Sequence, residues 1–283
     1  MEFHDVNVPW IDSLFFDRRL AQSNLDESTR AMVKFYADNG YLIIDPEISD
    51  VDGVAQEIVG ACEQDPEYQQ RLLDEWEWVP AIRRLALTPK ILSTLRTLYG
   101  RDPIPMQTLN FGRGTQQRAH SDSVHFSSVP RGFMCGVWIA LEDIDETNGP
   151  LEYYPGSHRL PYLDFSHLGI TGSDQREHEF YPRYEQFIQS CITELSLERR
   201  TLSILQGQAI IWAANLLHGG SPVTDPTRTR HSQVTHYFFR TASTTTRISQ
   251  TRFWARSSGS TNVTSAPVSL SLRYTTAAPR ACR

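Results

Sequence analysis

From residue 101 to about residue 240 the chain is cut into short aromatic and β-branched runs, closed by Gly, Pro, Asn or Asp. PIPMQTLNFGRG, GFMCGVWIALEDI, LEYYPGSH, LSILQGQAIIWAANLLHGG and RHSQVTHYFFRTA follow one another in this way. Runs of that length and punctuation read as antiparallel strands. A set of such strands protects its edges best by closing into a barrel or jelly roll. The spacing therefore predicts a mainly β protein, and whatever else the chain contains must flank that core.

The first hundred residues supply the flanking helices. LDESTRAMVKFYADNG has Asp26 or Ser28 as N-cap, apolar residues near helical spacing and Gly40 as its stop. The run YLIID reads as a strand closed by Pro46, and DVDGVAQEIVGACEQ as a further helix. In TPKILSTLRTLYG, Thr88 is the expected N-cap, Pro89 the first helical residue and Gly100 the stop. Residues 161–200 break the strand series and read as a partly helical insertion over the barrel mouth. The expected organisation is one domain over residues 1–255, with 1–100 mostly helical and 101–255 the β core. Residues 256–283 form a Ser/Thr-rich tail.

Bulk properties exclude several classes of function. A net charge of −6 and a pI near 5.8 give no basic field for nucleic acid or an anionic membrane. The four cysteines form no C-x-x-C pair, which argues against a zinc knuckle or disulfide scaffold and fits a reducing compartment. No stretch approaches the roughly 18 apolar residues of a membrane span, and the N-terminal run has acids where a signal peptide needs base. A soluble, cytoplasmic protein is expected, as monomer or homodimer.

Chemistry concentrates in AHSDSVHF, where His120 and Asp122 stand two apart. Alternate residues of a strand share one face, so at a strand end this pair would present an imidazole and a carboxylate to one metal ion. The spacing alone fits a buried or surface polar pair equally well. A third ligand is offered by His218, which ends the apolar run GQAIIWAANLLH and precedes Gly219 and Gly220; the same ring also fits a hydrogen-bonded core histidine. Arg230 opens an alternating strand in which Arg230, Ser232, Val234 and His236 share a face. A guanidinium aimed into a barrel suits a carboxylate or phosphate, or one of the protein's own acids.

The order of these parts resembles the phytanoyl-CoA dioxygenase-like (PhyH) family of Fe(II)- and 2-oxoglutarate-dependent oxygenases. HSDSVHF, VWIALEDIDETNGPLEYYPGSHR, GQAIIWAANLLHGGSP and TRHSQVTHYFF carry the resemblance, and with NGYLIID they span most of residues 25–240. It implies a double-stranded β-helix, a jelly-roll or cupin-like barrel, with iron held by His120, Asp122 and His218. Fe(II), 2-oxoglutarate and dioxygen are the implied cofactor and cosubstrates. The cosubstrate's carboxylate anchor falls on Arg230 or Arg228, Arg230 being preferred because it leads the strand. Trp138 matches an aromatic flanking the cosubstrate, with core packing as the alternative role, while Gln107 and Asn110 are further candidates for binding it.

The implied reaction oxidises a substrate C–H and releases succinate and carbon dioxide. Family halogenases have a small residue where Asp122 stands, so oxygenation is expected. A cupin-like isomerase or hydrolase with a non-redox metal, or a catalytically silent binding barrel, are the alternatives. No basic cluster for the phosphates of a coenzyme A ester is evident, which leaves a small natural product or polar metabolite as the expected substrate. His125, Arg113, Arg118 and Tyr153 are candidates for the substrate pocket, as are Tyr154, Arg159, Trp212 and Asn215.

Overall fold

Apolar alternation and helical periodicity sort this chain into a large antiparallel sheet with helices on one face and two small sheets. The computed structural model describes residues 7–169, 177–240 and 242–246. The Ser/Thr-rich tail expected at 256–283, and its boundary with the domain, lie outside the described residues.

The N-terminal helices are α1 (Phe16–Ala21), α2 (Glu27–Asn39), α3 (Val51–Cys62), α4 (Pro80–Ala86) and α5 (Pro89–Tyr99). Asp26, not Ser28, caps α2, its side chain accepting from the Thr29 N–H. Gly40 and Gly100 end α2 and α5 at positive φ, where a side chain would be strained. Thr88 precedes α5 as expected but does not cap it through its side chain. Its hydroxyl donates backward to the Leu85 carbonyl, and Pro89 leaves one fewer N–H to satisfy.

The strands are β1 (Tyr41–Ile44), β2 (Leu72–Leu73), β3 (Pro103–Phe111), β4 (Phe126–Val129), β5 (Met134–Ala140) and β6 (Leu151–Tyr153). They continue with β7 (Arg200–Thr201), β8 (Ala209–Ala213), β9 (His218–Gly220), β10 (Ser232–Phe239) and β11 (Ser243–Thr246). The main sheet has the order β1-β8-β5-β10-β3-β2, a small sheet the order β7-β6-β9, and β11 pairs with β4. All of these pairings are antiparallel.

The two faces of the main sheet bury different things. One face packs on the helices through Leu42, Val137, Ile139, Ile211, Tyr237 and Phe239, against such residues as Ile82 and Leu95. The other faces the small sheet, with Leu109, Trp138, Ile210 and Val234 meeting Tyr153, Leu151 and Leu202. This is the sandwich cross-section of the double-stranded β-helix. Within the 161–200 segment the structure has a 3-10 turn (Phe165–Leu168) and helix α6 (Glu177–Glu194). Tyr184, Ile188 and Ile192 of α6 pack against Ala119, Val124 and Leu217, the residues flanking the two histidine motifs.

Candidate metal centre

The run GQAIIWAANLLHGG is two strands, not one. β8 stops at Ala213, a turn closes from the Leu216 N–H to the Ala213 carbonyl, and His218 begins β9 in the other sheet. The chain thereby crosses from the main sheet to the small one and delivers His218 to the space between them. The PGSHR turn secures that crossing. Ser157 accepts from the Leu217 N–H through its hydroxyl, and the Tyr154 N–H donates to the Leu217 carbonyl. His158 Nε2 donates to the Ala37 carbonyl near the end of α2, 3.1 Å away.

His120 pairs with His218 across an antiparallel bridge, each N–H donating to the other's carbonyl at 2.9 Å. Directly opposed residues share a face, so the two imidazoles project to the same side, with ring centroids 4.6 Å apart. The bridge requires residues 116–119 to lie close on β9. A Cβ on Gly219 would stand 2.7 Å from the Gln117 carbonyl oxygen, and one on Gly220 2.8 Å from the Gln116 nitrogen. The two glycines after His218 therefore make room for the segment that carries His120.

Asp122 does not continue the strand. Ser121 is extended, and Asp122 opens a 3-10 turn (Asp122–Val124), so the carboxylate is placed by that turn instead of by strand alternation. The result is one buried donor set: one ligand atom each from His120, Asp122 and His218, all within 4.8 Å of one another. The ring tautomers suit a metal. His120 Nδ1 donates to the Arg118 carbonyl at 2.9 Å and His218 Nδ1 to the Leu216 carbonyl at 3.0 Å. A carbonyl only accepts, so Nδ1 carries the ring proton that leaves Nε2 of each ring as the atom able to bind a metal. Burial, reinforced by the adjacent His218, lowers the His120 pKa from 6.5 to about 4. Burial works against the charge on Asp122, yet His218, His236 and His120 outweigh it and hold the carboxyl below the usual range.

The main sheet closes the other side with one cross-strand row: Gln107, His236, Gly136, Trp212 and Tyr41 on β3, β10, β5, β8 and β1. Trp212 donates its indole N–H to Asp122 Oδ2 at 2.7 Å. His236 Nε2 lies 3.6 Å from the same oxygen, and its Nδ1 meets Gln107 Oε1 at 3.2 Å. Trp212 and His236 carry no metal-ligand motif, and their contacts with Asp122 depend on pairings between strands far apart in sequence. The only local signal is the shared face of Arg230 and His236.

Arg230 and Arg228 separate sharply. Arg228 is ion-paired with Asp145 at 3.0 Å on the surface side. Arg230 is 3% exposed, with no carboxylate within 4.0 Å among the described residues. Its Nη2 donates to the Arg113 carbonyl, its Nε has no partner, and burial lowers its pKa to about 10. The guanidinium carbon lies 5.6 Å from the Phe111 ring centre and 5.7 Å from that of Trp138. Both rings are on the face that looks toward the small sheet, and the Trp138 N–H is likewise buried without a partner.

Asn110 is not brought to this space. It pairs with Gln233 in register and shares its face, where the Gln233 amide donates to the Ile82 carbonyl of α4. Gln107, an odd number of residues away, is on the metal side. Among the other candidates, His125 stacks on Tyr181 of α6 with centroids 5.2 Å apart and lies beside His120. Asn215 binds the carbonyls of His158 and Leu160, Arg113 bonds Gln69, and Arg159 pairs with Asp38. These last three serve the scaffold.

Comparison with known proteins agrees with this arrangement. An 83-residue segment is 32% identical to phytanoyl-CoA dioxygenase domain-containing protein 1 of Danio rerio, covering 28% of this chain and 28% of that protein. Among solved structures, the epimerase SnoN, in complex with Fe3+, alpha ketoglutarate and nogalamycin RO, superimposes with a TM-score of 0.58 at 17% identity. The match covers 80% of this chain and 88% of that one. EctD from S. alaskensis, with 2-oxoglutarate and 5-hydroxyectoine, gives 0.57 at 19% identity, covering 82% and 80%. The profile of the phytanoyl-CoA dioxygenase family matches residues 36–232, a span holding both histidine motifs and Arg230, and the chain belongs to that family.

Proposed function

We propose that the protein is a non-haem Fe(II)- and 2-oxoglutarate-dependent dioxygenase that hydroxylates an unactivated C–H of a small metabolite, in secondary metabolism. One observation carries the cosubstrate assignment. A buried guanidinium with no carboxylate within 4.0 Å among the described residues stands on the sheet face that also closes the His120–Asp122–His218 cluster. A buried charge of that kind is costly unless a ligand completes it, and the fork of Arg230 matches a terminal carboxylate.

The donor set fits Fe(II): two imidazoles and a carboxylate, with both rings oriented by backbone carbonyls. His120, Asp122 and His218 would hold the metal, and Arg230 the distal carboxylate of 2-oxoglutarate. Trp138 and Gln107 lie on the same sheet face. Iron and cosubstrate supply dioxygen activation, with release of succinate and carbon dioxide. The chain contributes orientation and exclusion of water, the latter through the apolar contacts of the two sheets and of α6. Ligands held by SnoN and EctD, a nogalamycin-type compound and 5-hydroxyectoine, support a small-molecule substrate.

Anaerobic titration of the apo-protein with Fe(II) and 2-oxoglutarate tests the assignment. The expected result is the weak visible charge-transfer band of the chelate, lost in His218→Ala. Absence of that band at saturating iron and cosubstrate would overturn it. Succinate release over a substrate panel then identifies the C–H donor.

A further inference from the structure

The two oxygens of Asp122 have different neighbours. Oδ1 faces the converging imidazoles, 3.7 Å from His218 Nε2. Oδ2 accepts the Trp212 indole N–H at 2.7 Å, a length at the short end of the range, as a charged acceptor gives. Indole nitrogen only donates, and Trp212 is 2% exposed, so its N–H needs a protein acceptor, which this oxygen supplies. The contact depends on a specific absence on the neighbouring strand. Gly136 stands directly opposite Trp212, and a Cβ there would lie 2.4 to 2.7 Å from the indole Cε2, Cζ2 and Nε1. The indole occupies the space that a side chain at position 136 would fill, with His236 and Gln107 in the same row.

A carboxylate can grip a metal with one oxygen or with both. Two histidines and a one-oxygen carboxylate leave the opposite face of an octahedral ion open, so that a chelating cosubstrate takes two positions and dioxygen the last. A two-oxygen grip would close one of these. We propose that Trp212, seated by Gly136, is a positioning residue that restricts Asp122 to one-oxygen ligation, an inference that rests on the iron assignment above. Trp212 acts through Asp122 and touches neither cosubstrate nor substrate in this role.

The test uses Mn(II), which fits the same ligands and relaxes water protons, on the full chain without 2-oxoglutarate. Wild type, Trp212→Phe and Gly136→Ala are compared by Mn(II) affinity and by the number of exchangeable metal-bound waters from proton relaxation. Phe keeps the ring over Gly136 and removes only the N–H, so it is the mild variant. Gly136→Ala keeps the N–H and displaces it. The expected result is one bound water fewer in Trp212→Phe than in wild type, with the same loss in Gly136→Ala if that variant folds. An unchanged water count in Trp212→Phe overturns the proposal even if Mn(II) binds more weakly, since the indole would then only pack the site. Failure of wild type to bind Mn(II) would instead strike the metal assignment itself.

Discussion

The same pair of strands, β3 and β10, buries polar side chains on both faces, and the two faces do different things. Toward the small sheet lie Gln107 and His236, with Arg230 just before β10. There the polar groups converge on Asp122 or stand without a partner, as the Arg230 Nε does. Toward the helices lie Thr108, Asn110, Gln233 and Thr235, where Gln233 ties the sheet to α4 and Asp74 accepts from the Thr108 N–H. A polar residue in an apolar strand is thus no sign of a ligand by itself. What matters is the face, and whether the groups on it converge. Asn110 also has buried atoms without partners, yet among the described residues the metal-ligating cluster is on the other side.

Substitutions on the metal side should break function while those on the helix side should break only stability. The largest effect is expected for His218→Ala, which removes a donor: Fe(II) or Co(II) affinity should fall by more than ~100-fold in a binding titration. Next comes the arginine pair. Truncating one partner of a buried charge pair costs about 2–5 kcal/mol, so Arg230→Ala should raise the half-saturating 2-oxoglutarate concentration by at least ~30-fold. Arg228→Ala removes only a surface ion pair worth at most about 1 kcal/mol, and should leave that concentration within ~3-fold of wild type. Equal effects of the two would erase the distinction drawn here.

On the helix side, Gln233→Leu removes the side-chain donor to the Ile82 carbonyl. It should lower urea stability by about 1–3 kcal/mol with unchanged cosubstrate binding. Asn110→Leu is expected to alter neither cosubstrate binding nor, by more than ~1 kcal/mol, stability. A substantial rise in the 2-oxoglutarate requirement with Asn110→Leu would show that the sheet's faces are assigned wrongly.

A separate effect concerns pH. His158 is buried beside Gly40, and that burial lowers its pKa from 6.5 to about 4 against the opposing bond to the Ala37 carbonyl. A folded pKa below the unfolded one means that the unfolded chain takes up the proton first. Stability from this group is complete above pH 6.5 and is lost as pH falls from there through about 4. Replacing His158 by Gln should flatten that part of the apo-protein's stability profile while leaving metal affinity unchanged, as measured by urea midpoints across the window.

Much of the molecule was legible along the chain because the signals are local. Alternating runs specify strands, the spacing of α2 and α5 with Gly40 and Gly100 specifies helices and their stops, and H-x-D with a distal His and Arg names the chemistry. Even so, the strand argument reached His120 and Asp122 by a geometry the protein does not use, since a 3-10 turn places the carboxylate. The apolar run before His218 likewise hides a change of sheet, because Ala213–Leu216 turns without any Gly or Pro to mark it.

By itself, then, the sequence determined which residue types are present and the local conformation of most segments, through side-chain periodicity and caps acting over a few residues. Only the tertiary structure decided which face each strand residue occupies, that Arg230 is buried with no carboxylate within 4.0 Å among the described residues while Arg228 is paired, and that Trp212 reaches Asp122 over Gly136. Those facts depend on register between strands well over a hundred residues apart in sequence, as Tyr41 and Trp212 or Gln107 and His236 are, where a shift of one residue would turn every side chain to the opposite face.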